Sequence, residues 1–170
     1  MQSLAGKRGL VMGVANERSI AWGIAKAMAE AGAELAFTHQ GDAFGQRLAP
    51  LAASVGSDFM VDVDVTDDTS LDIAFEQLGK RWPTIDFVIH AIAYSDKNEL
   101  TGRFVNTSRD NFKNSLDISA YSFIEVARRA HGVRVVLDGM AGGLVRLCRQ
   151  VCKKGSFVIR RGESLQRKPG

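Results

Sequence analysis

The densest chemistry in the chain lies in residues 13–23, GVANERSIAWG. They join a short apolar run, GLVM at residues 9–12, to a stretch with helical spacing in which Ile20, Ile24, Ala27, Met28 and Ala31 share a face and Gly32 supplies the stop. A strand, a glycine turn and a helix in that order leave unpaired backbone N–H groups and the positive end of a helix dipole beside the turn, where a pyrophosphate can sit. Gly13 opens the turn, but Ala15 replaces the second glycine of a G-x-G-x-x-G pattern and Ser19 stands near the place of the third. The turn alone is therefore a weak signal for a dinucleotide.

Other residues sharpen or blunt that reading. Gln40 follows an apolar run, ELAFTH at residues 34–39, at the place where an acid takes ribose hydroxyls or an arginine welcomes an extra phosphate. Gln40 is neutral and hydrogen-bonds a ribose or adenine edge without charge, which favours NAD over NADP. Asp64 is placed either to accept from an adenine amino group, with Val65 covering the ring, or to cap a strand end. His39 and His90 read as packed, hydrogen-bonded residues. Cys148 and Cys152, four apart with no histidine nearby, read as structural thiols, and no metal site is expected.

Strands are expected at residues 9–12, 34–39, 58–65 and 85–93. Helices are expected from Ser19, over 43–55, over 66–82 with Thr69 and Asp72 in capping-box spacing, and as one long helix from Thr107 to about Ala130, with a polar loop at 94–106 before it. Strands alternating with helices give right-handed crossovers and an α/β fold, a doubly wound parallel sheet. The order 3-2-1-4 leaves a crevice between the carboxyl ends of strands one and four, fed by residues 13–20, Gln40, Asp64, Val65 and residues 91–95.

One domain-sized core fits 170 residues, of which 45% are hydrophobic and 24% charged. No apolar run is long enough to span a bilayer and the N-terminus lacks a signal-peptide core, so a cytoplasmic protein is expected. The net charge of +3 is uneven: residues 131–170 hold nine Lys/Arg and two Asp/Glu, and residues 1–130 hold 13 and 17. The division falls between a dinucleotide-binding portion, 1–132, and an atypical basic tail, 133–170. Within that tail, residues 133–137 (VRVVL) have the character of a fifth strand. Leu144, Val145, Leu147, Cys148, Val151 and Cys152 lie on one helical face opposite Arg146, Arg149 and Lys153. The segment reads either as a basic amphipathic helix for a membrane surface or an acidic partner or, the reading favoured by the abrupt change of composition, as a frameshifted or otherwise altered end.

Several pieces together closely resemble the bacterial NADH-dependent enoyl-acyl-carrier-protein reductases, a divergent branch of the short-chain dehydrogenase/reductases. They are Gly13-x-Ala15-x-x-x-Ser19-Ile20-Ala21-x-Gly23, GAELAFTHQ, Asp64-Val65, DFVIHAIA and Asp117-Ile-Ser-x-Tyr-Ser-Phe123, and the resemblance covers residues 4–130. It implies a Rossmann-like fold and NADH as cofactor, with Gly13, Ser19, Ile20, Gln40, Asp64, Val65 and Ile92 as its contacts. It implies further that Ser95 lines the acyl pocket, and that Ala93 and Tyr94 replace a glycine and a phenylalanine. The substrate would be an acyl-carrier-protein thioester and the assembly a homotetramer built through the long helices, with no nucleic acid and no membrane span.

The implied reaction reduces the double bond of a trans-2-enoyl thioester, in fatty acid biosynthesis. Hydride goes to the β-carbon and negative charge gathers on the thioester oxygen. In the family a tyrosine donates to that oxygen and a lysine seven residues on holds the nicotinamide ribose. Here the tyrosines are Tyr94 and Tyr121, and seven residues beyond them stand Thr101 and Arg128. Tyr121 reads as a packing and interface residue. No catalytic residue is assigned, and the chain is expected to bind cofactor without turnover. The alternative is a non-catalytic NAD- or anion-binding protein whose basic tail takes an acidic partner.

Overall fold

A computed structural model of the chain describes residues 3–133 and 157–160. Four parallel strands, β1 (Arg8–Met12), β2 (Glu34–His39), β3 (Met60–Asp62) and β4 (Phe87–His90), form a sheet in the order β3-β2-β1-β4. The order expected from the alternation of elements is the order observed. A fifth strand, β5 (Phe157–Arg160), adds antiparallel to β4, so the sheet is mixed rather than wholly parallel. The strand expected at 133–137 and the basic amphipathic helix over 144–152 lie outside the described residues, except that Val133 closes a helix.

β3 and β4 are shorter than the runs expected at 58–65 and 85–93, and the sheet is covered on both faces, so successive side chains divide between two cores. Leu10, Met12, Ala36, Val61 and Val88 pack on one side with Leu71, Ala74, Phe75 and Leu78 of α3 (Asp68–Arg81) and Val126 and Ala130 of α5 (Ser122–Gly132). Val11, Leu35, Phe37, Phe87 and Ile89 pack on the other with Ala21, Trp22 and Ala25 of α1 (Ile20–Glu30) and Leu48 and Ala52 of α2 (Asp42–Ser54). Helices on both faces of one sheet make the fold doubly wound.

Three details depart from the expectation. The buried stripe of α1 is Ala21, Trp22 and Ala25, while Ile20 and Ala27 are exposed, because Trp22 packs against Phe37 with ring centroids 6.4 Å apart and turns the helix toward it. The cap of α3 is Asp67, whose carboxylate accepts from the Thr69 N–H at 2.9 Å, and Asp72 instead takes Arg129 Nε at 2.6 Å. The long helix is divided: Ser108 caps α4 (Arg109–Leu116), a wide π-helical turn covers Asp117–Tyr121, and α5 follows. The loop before it holds two short 3₁₀ turns, Lys97–Glu99 and Phe104–Asn106, and exposes Leu100, Phe104 and Val105.

Candidate functional site

A cleft of about 590 Å³ opens at the carboxyl ends of the four parallel strands. Every strand contributes to it: Gly13, Val14 and Ala15 after β1, His39 and Gln40 at β2, Asp64, Val65 and Thr66 after β3, and residues 91–94 after β4. Phe44 of α2, Asn114 of α4 and Ile118 of the π turn complete its rim. Five of the residues singled out from the sequence, Gly13, Gln40, Asp64, Val65 and Ile92, thus meet at one cleft.

Gly13 is required by the backbone. Its φ is +92°, and a Cβ placed there would lie 2.2 Å from the Ala91 carbonyl oxygen, so β1 and β4 leave the sheet in contact. Beyond it the chain turns into α1 through residue 19. Ser19 has extended backbone and makes no side-chain cap, because its hydroxyl donates to the Asn16 carbonyl at 2.7 Å. Ser19 thus leaves the opening N–H groups of α1 without a side-chain partner, and they carry the positive end of its dipole. Ser19 and Ile20 sit at that helix end and do not line the cleft itself.

Asp64 and Gln40 are joined. Gln40 Nε2 donates to Asp64 Oδ2 at 3.0 Å, and Asp64 Oδ1 accepts from the Thr66 N–H at 2.9 Å and the Thr66 hydroxyl at 2.7 Å. The Thr66 hydroxyl above all, then its N–H and Gln40, hold the Asp64 carboxyl below the usual carboxylate range in spite of some desolvation. Asp64 is therefore an ionised acceptor facing the cleft. Its backbone N–H donates to Ser70 Oγ at 3.0 Å, which ties the loop to α3. His39, half-buried, places Nδ1 3.2 Å from the Gly41 carbonyl oxygen.

The opposite wall is held from the π turn. His90 is 1% exposed, and burial pushes its imidazole down to about 4, so it is neutral. Ser122 donates to the Ile118 carbonyl at 2.6 Å, and His90 Nε2 therefore donates to the Ser122 hydroxyl at 2.8 Å. This is the packed, hydrogen-bonded histidine expected from an apolar strand. Ser119 binds the backbone of Tyr94, accepting from its N–H at 3.0 Å. Sequence alone assigns no role to Thr66, Ser119 or Ser122, although the two serines belong to the motif at residues 117–123. The D-x-T spacing was the one local signal, and the two serines act only across the fold.

Ser95 does not line the cleft. Its hydroxyl accepts from Asn111 Nδ2 at 3.2 Å in a polar knot where Asn111 Oδ1 also accepts from the Asp96 N–H at 2.9 Å. Tyr121 lies off the cleft too and is half-exposed, its hydroxyl donating to Glu125, which raises the phenol's pKa. Tyr94 lines the cleft, with Thr101 seven residues on. Among the described residues no group of three or more His, Cys, Asp or Glu is placed to hold a metal ion, and no helix is long and apolar enough to cross a membrane.

Comparison with known proteins agrees with this architecture. The family model described as enoyl-(acyl carrier protein) reductase matches residues 13–150. The enoyl-[acyl-carrier-protein] reductase [NADH] 1 of Rhizobium meliloti is 60% identical over 134 residues, covering 79% of this chain and 48% of the relative. The crystal structure of FabI from Candidatus Liberibacter asiaticus superposes with a TM-score of 0.77 at 54% identity, covering 82% of this chain and 54% of that one. The Anaplasma phagocytophilum reductase, solved in complex with NAD, superposes with a TM-score of 0.76 at 46% identity and the same coverage. The chain spans about half the length of the relatives it matches. With its strand order, its strand-end cleft and these matches in agreement, the chain belongs to the enoyl-(acyl carrier protein) reductase family.

Proposed function

We propose that this chain is the cofactor-holding portion, residues 1–132, of an NADH-dependent enoyl-acyl-carrier-protein reductase of fatty acid biosynthesis, followed by the basic tail 133–170. The observation that carries the reading is the convergence of Gly13, Gln40, Asp64, Val65 and Ile92 on one strand-end cleft. The donor set fits a nicotinamide dinucleotide. The open N-terminus of α1 beside Gly13, Ser19 and Ile20 suits a pyrophosphate, and the ionised Asp64 beside Val65 suits an adenine amino group and ring. Gln40 offers ribose a neutral partner with no fixed positive charge at the strand end, which suits NAD better than NADP.

Bound NADH would supply the hydride for a trans-2-enoyl thioester carried on acyl carrier protein. This chain's residues hold and orient the cofactor: Gly13 and the helix end at its phosphates, Gln40, Asp64 and Val65 at its adenosine, and Ile92 along the β4 side. Neither tyrosine is paired with a lysine seven residues on, and Tyr121 already donates to Glu125. No hydroxyl is therefore assigned to the thioester oxyanion, and Ser95, tied to Asn111, is assigned to loop support ahead of acyl contact. The same reading includes a cytoplasmic location and a homotetramer. Exposed Phe112, Leu116, Tyr121 and Ile124 on α4, the π turn and α5 support assembly through that face.

The test is calorimetric titration of the full 170-residue chain with NADH, run beside NADH oxidation with a crotonyl thioester. Saturable NADH binding with no oxidation above background is expected. Absence of binding would overturn the cofactor reading. Robust oxidation would show that another residue supplies the oxyanion donor.

A further inference from the structure

We infer that Thr66 is a positioning residue that fixes the Asp64 carboxylate to read the exocyclic amino group of adenine, so that the cleft selects an adenine dinucleotide over one bearing a 6-oxo purine. The inference rests on the cofactor reading given above and adds to it a residue and a selectivity.

A strand-end aspartate has free torsions, and an unrestrained carboxylate offers either oxygen to either neighbour. Here both oxygens are committed. Oδ1 takes the Thr66 N–H at 2.9 Å and the Thr66 hydroxyl at 2.7 Å, and Oδ2 takes Gln40 Nε2 at 3.0 Å. Two donors on one oxygen and one on the other set the plane of the group, while the Asp64 N–H, donating to Ser70 Oγ at 3.0 Å, fixes the backbone beneath it. Gln40 leaves Oδ2 with a lone pair, since a carboxylate oxygen accepts more than one hydrogen bond. Asp64, Gln40 and Thr66 all line the cleft, so that lone pair has a route to a ligand.

The selectivity follows from charge. A carboxylate oxygen accepts well from an amino group, and a purine with a carbonyl at the same place sets two acceptors against each other, so that contact gains no hydrogen bond. Thr66 supplies two of the three hydrogen bonds that hold the carboxylate. Without its hydroxyl, Oδ1 keeps only the backbone N–H, and the group is free to rotate away from the purine edge.

The experiment compares NADH with reduced nicotinamide hypoxanthine dinucleotide by calorimetry on the full chain, for the unsubstituted protein, Thr66→Val and Thr66→Ser. The unsubstituted chain should prefer NADH by about tenfold, a value in the range of one charge-assisted hydrogen bond. Thr66→Val should lose about tenfold in NADH affinity with less than about twofold change for the hypoxanthine analogue, and Thr66→Ser, which restores the hydroxyl, should recover the preference. Equal losses for both dinucleotides in Thr66→Val, no loss at all, or failure of Thr66→Ser to recover would overturn the inference. If the unsubstituted chain binds neither dinucleotide, the cofactor reading itself fails, and the positioning role falls with it.

Discussion

The two walls of the cleft hold their titratable groups in opposite states. At the ends of β2 and β3, hydrogen bonds from Thr66 and Gln40 keep Asp64 ionised at the surface of the cleft. At the end of β4, burial keeps His90 neutral, with Ser122 as its partner. The first wall presents charge to a ligand and the second turns its polar group inward. Behind the second wall, α4, the π turn and α5 also leave Phe112, Leu116, Tyr121 and Ile124 exposed. The difference separates recognition from support: the β2–β3 wall has the chemistry to read a polar ring edge, and the β4 wall is a packed surface that positions backbone.

The largest expected effect breaks the join between the walls. Gly13→Ala would put a methyl group 2.2 Å from the Ala91 carbonyl oxygen at a residue with φ of +92°. Urea unfolding should show a loss of about 3 kcal/mol, from left-handed strain together with displaced backbone. A loss below about 1 kcal/mol would mean that β1 and β4 separate easily.

The next sharpens the contrast in charge. Because His90 falls from the ordinary 6.5 to about 4 on folding, the unfolded chain binds the extra proton between those values and the native state does not. Stability is thus complete above about pH 6.5 and declines as pH falls, by about 2 kcal/mol between pH 7 and pH 5, levelling off below pH 4. Urea midpoints measured at pH 7 and pH 5 on the chain and on His90→Gln check this. The pH dependence should shrink in the variant, and an unchanged slope would assign the effect elsewhere. Asp64 contributes from its own wall with the same proton balance, at lower pH, since the unfolded chain again binds the extra proton. Its lowered pKa adds stability that is present above the ordinary carboxylate range and lost only in stronger acid.

A smaller effect tests the helix beneath the first wall. Asp67→Ala removes the carboxylate that caps α3 at the Thr69 N–H and should cost about 1 kcal/mol, read by thermal or urea unfolding. Thr69→Ala should cost less, since Thr69 supplies a backbone donor and no cap.

Much of this site was readable from the residues, because the features that place it are local or periodic. Alternating strands and helices gave the order β3-β2-β1-β4, and strand ends gave Gly13, Gln40 and Asp64 their common cleft. What escaped depends on distant partners. The π turn exists beside the contacts of Ser119 and Ser122 with Tyr94 and His90, across 25 and 32 positions. The hydrogen bond from Asn111 to the Ser95 hydroxyl also spans 16 positions. The antiparallel pairing of β5 on β4 is likewise invisible in local pattern. The cap of α3 was misplaced by two residues for a simpler reason: Thr69–Asp72 and Asp67–Thr69 are both plausible capping pairs, and the contacts of Asp72 with Arg129 decide between them.

The most direct test of the cofactor-holding role is amide hydrogen exchange of the full chain with and without NADH, which reports on all four strand ends at once. NADH should slow exchange at residues 13–22, 40–41, 64–66 and 91–95 together, with the exposed face of α4 and α5 unchanged. Protection confined to that helical face, or none at the four strand ends in saturating NADH, would contradict the account.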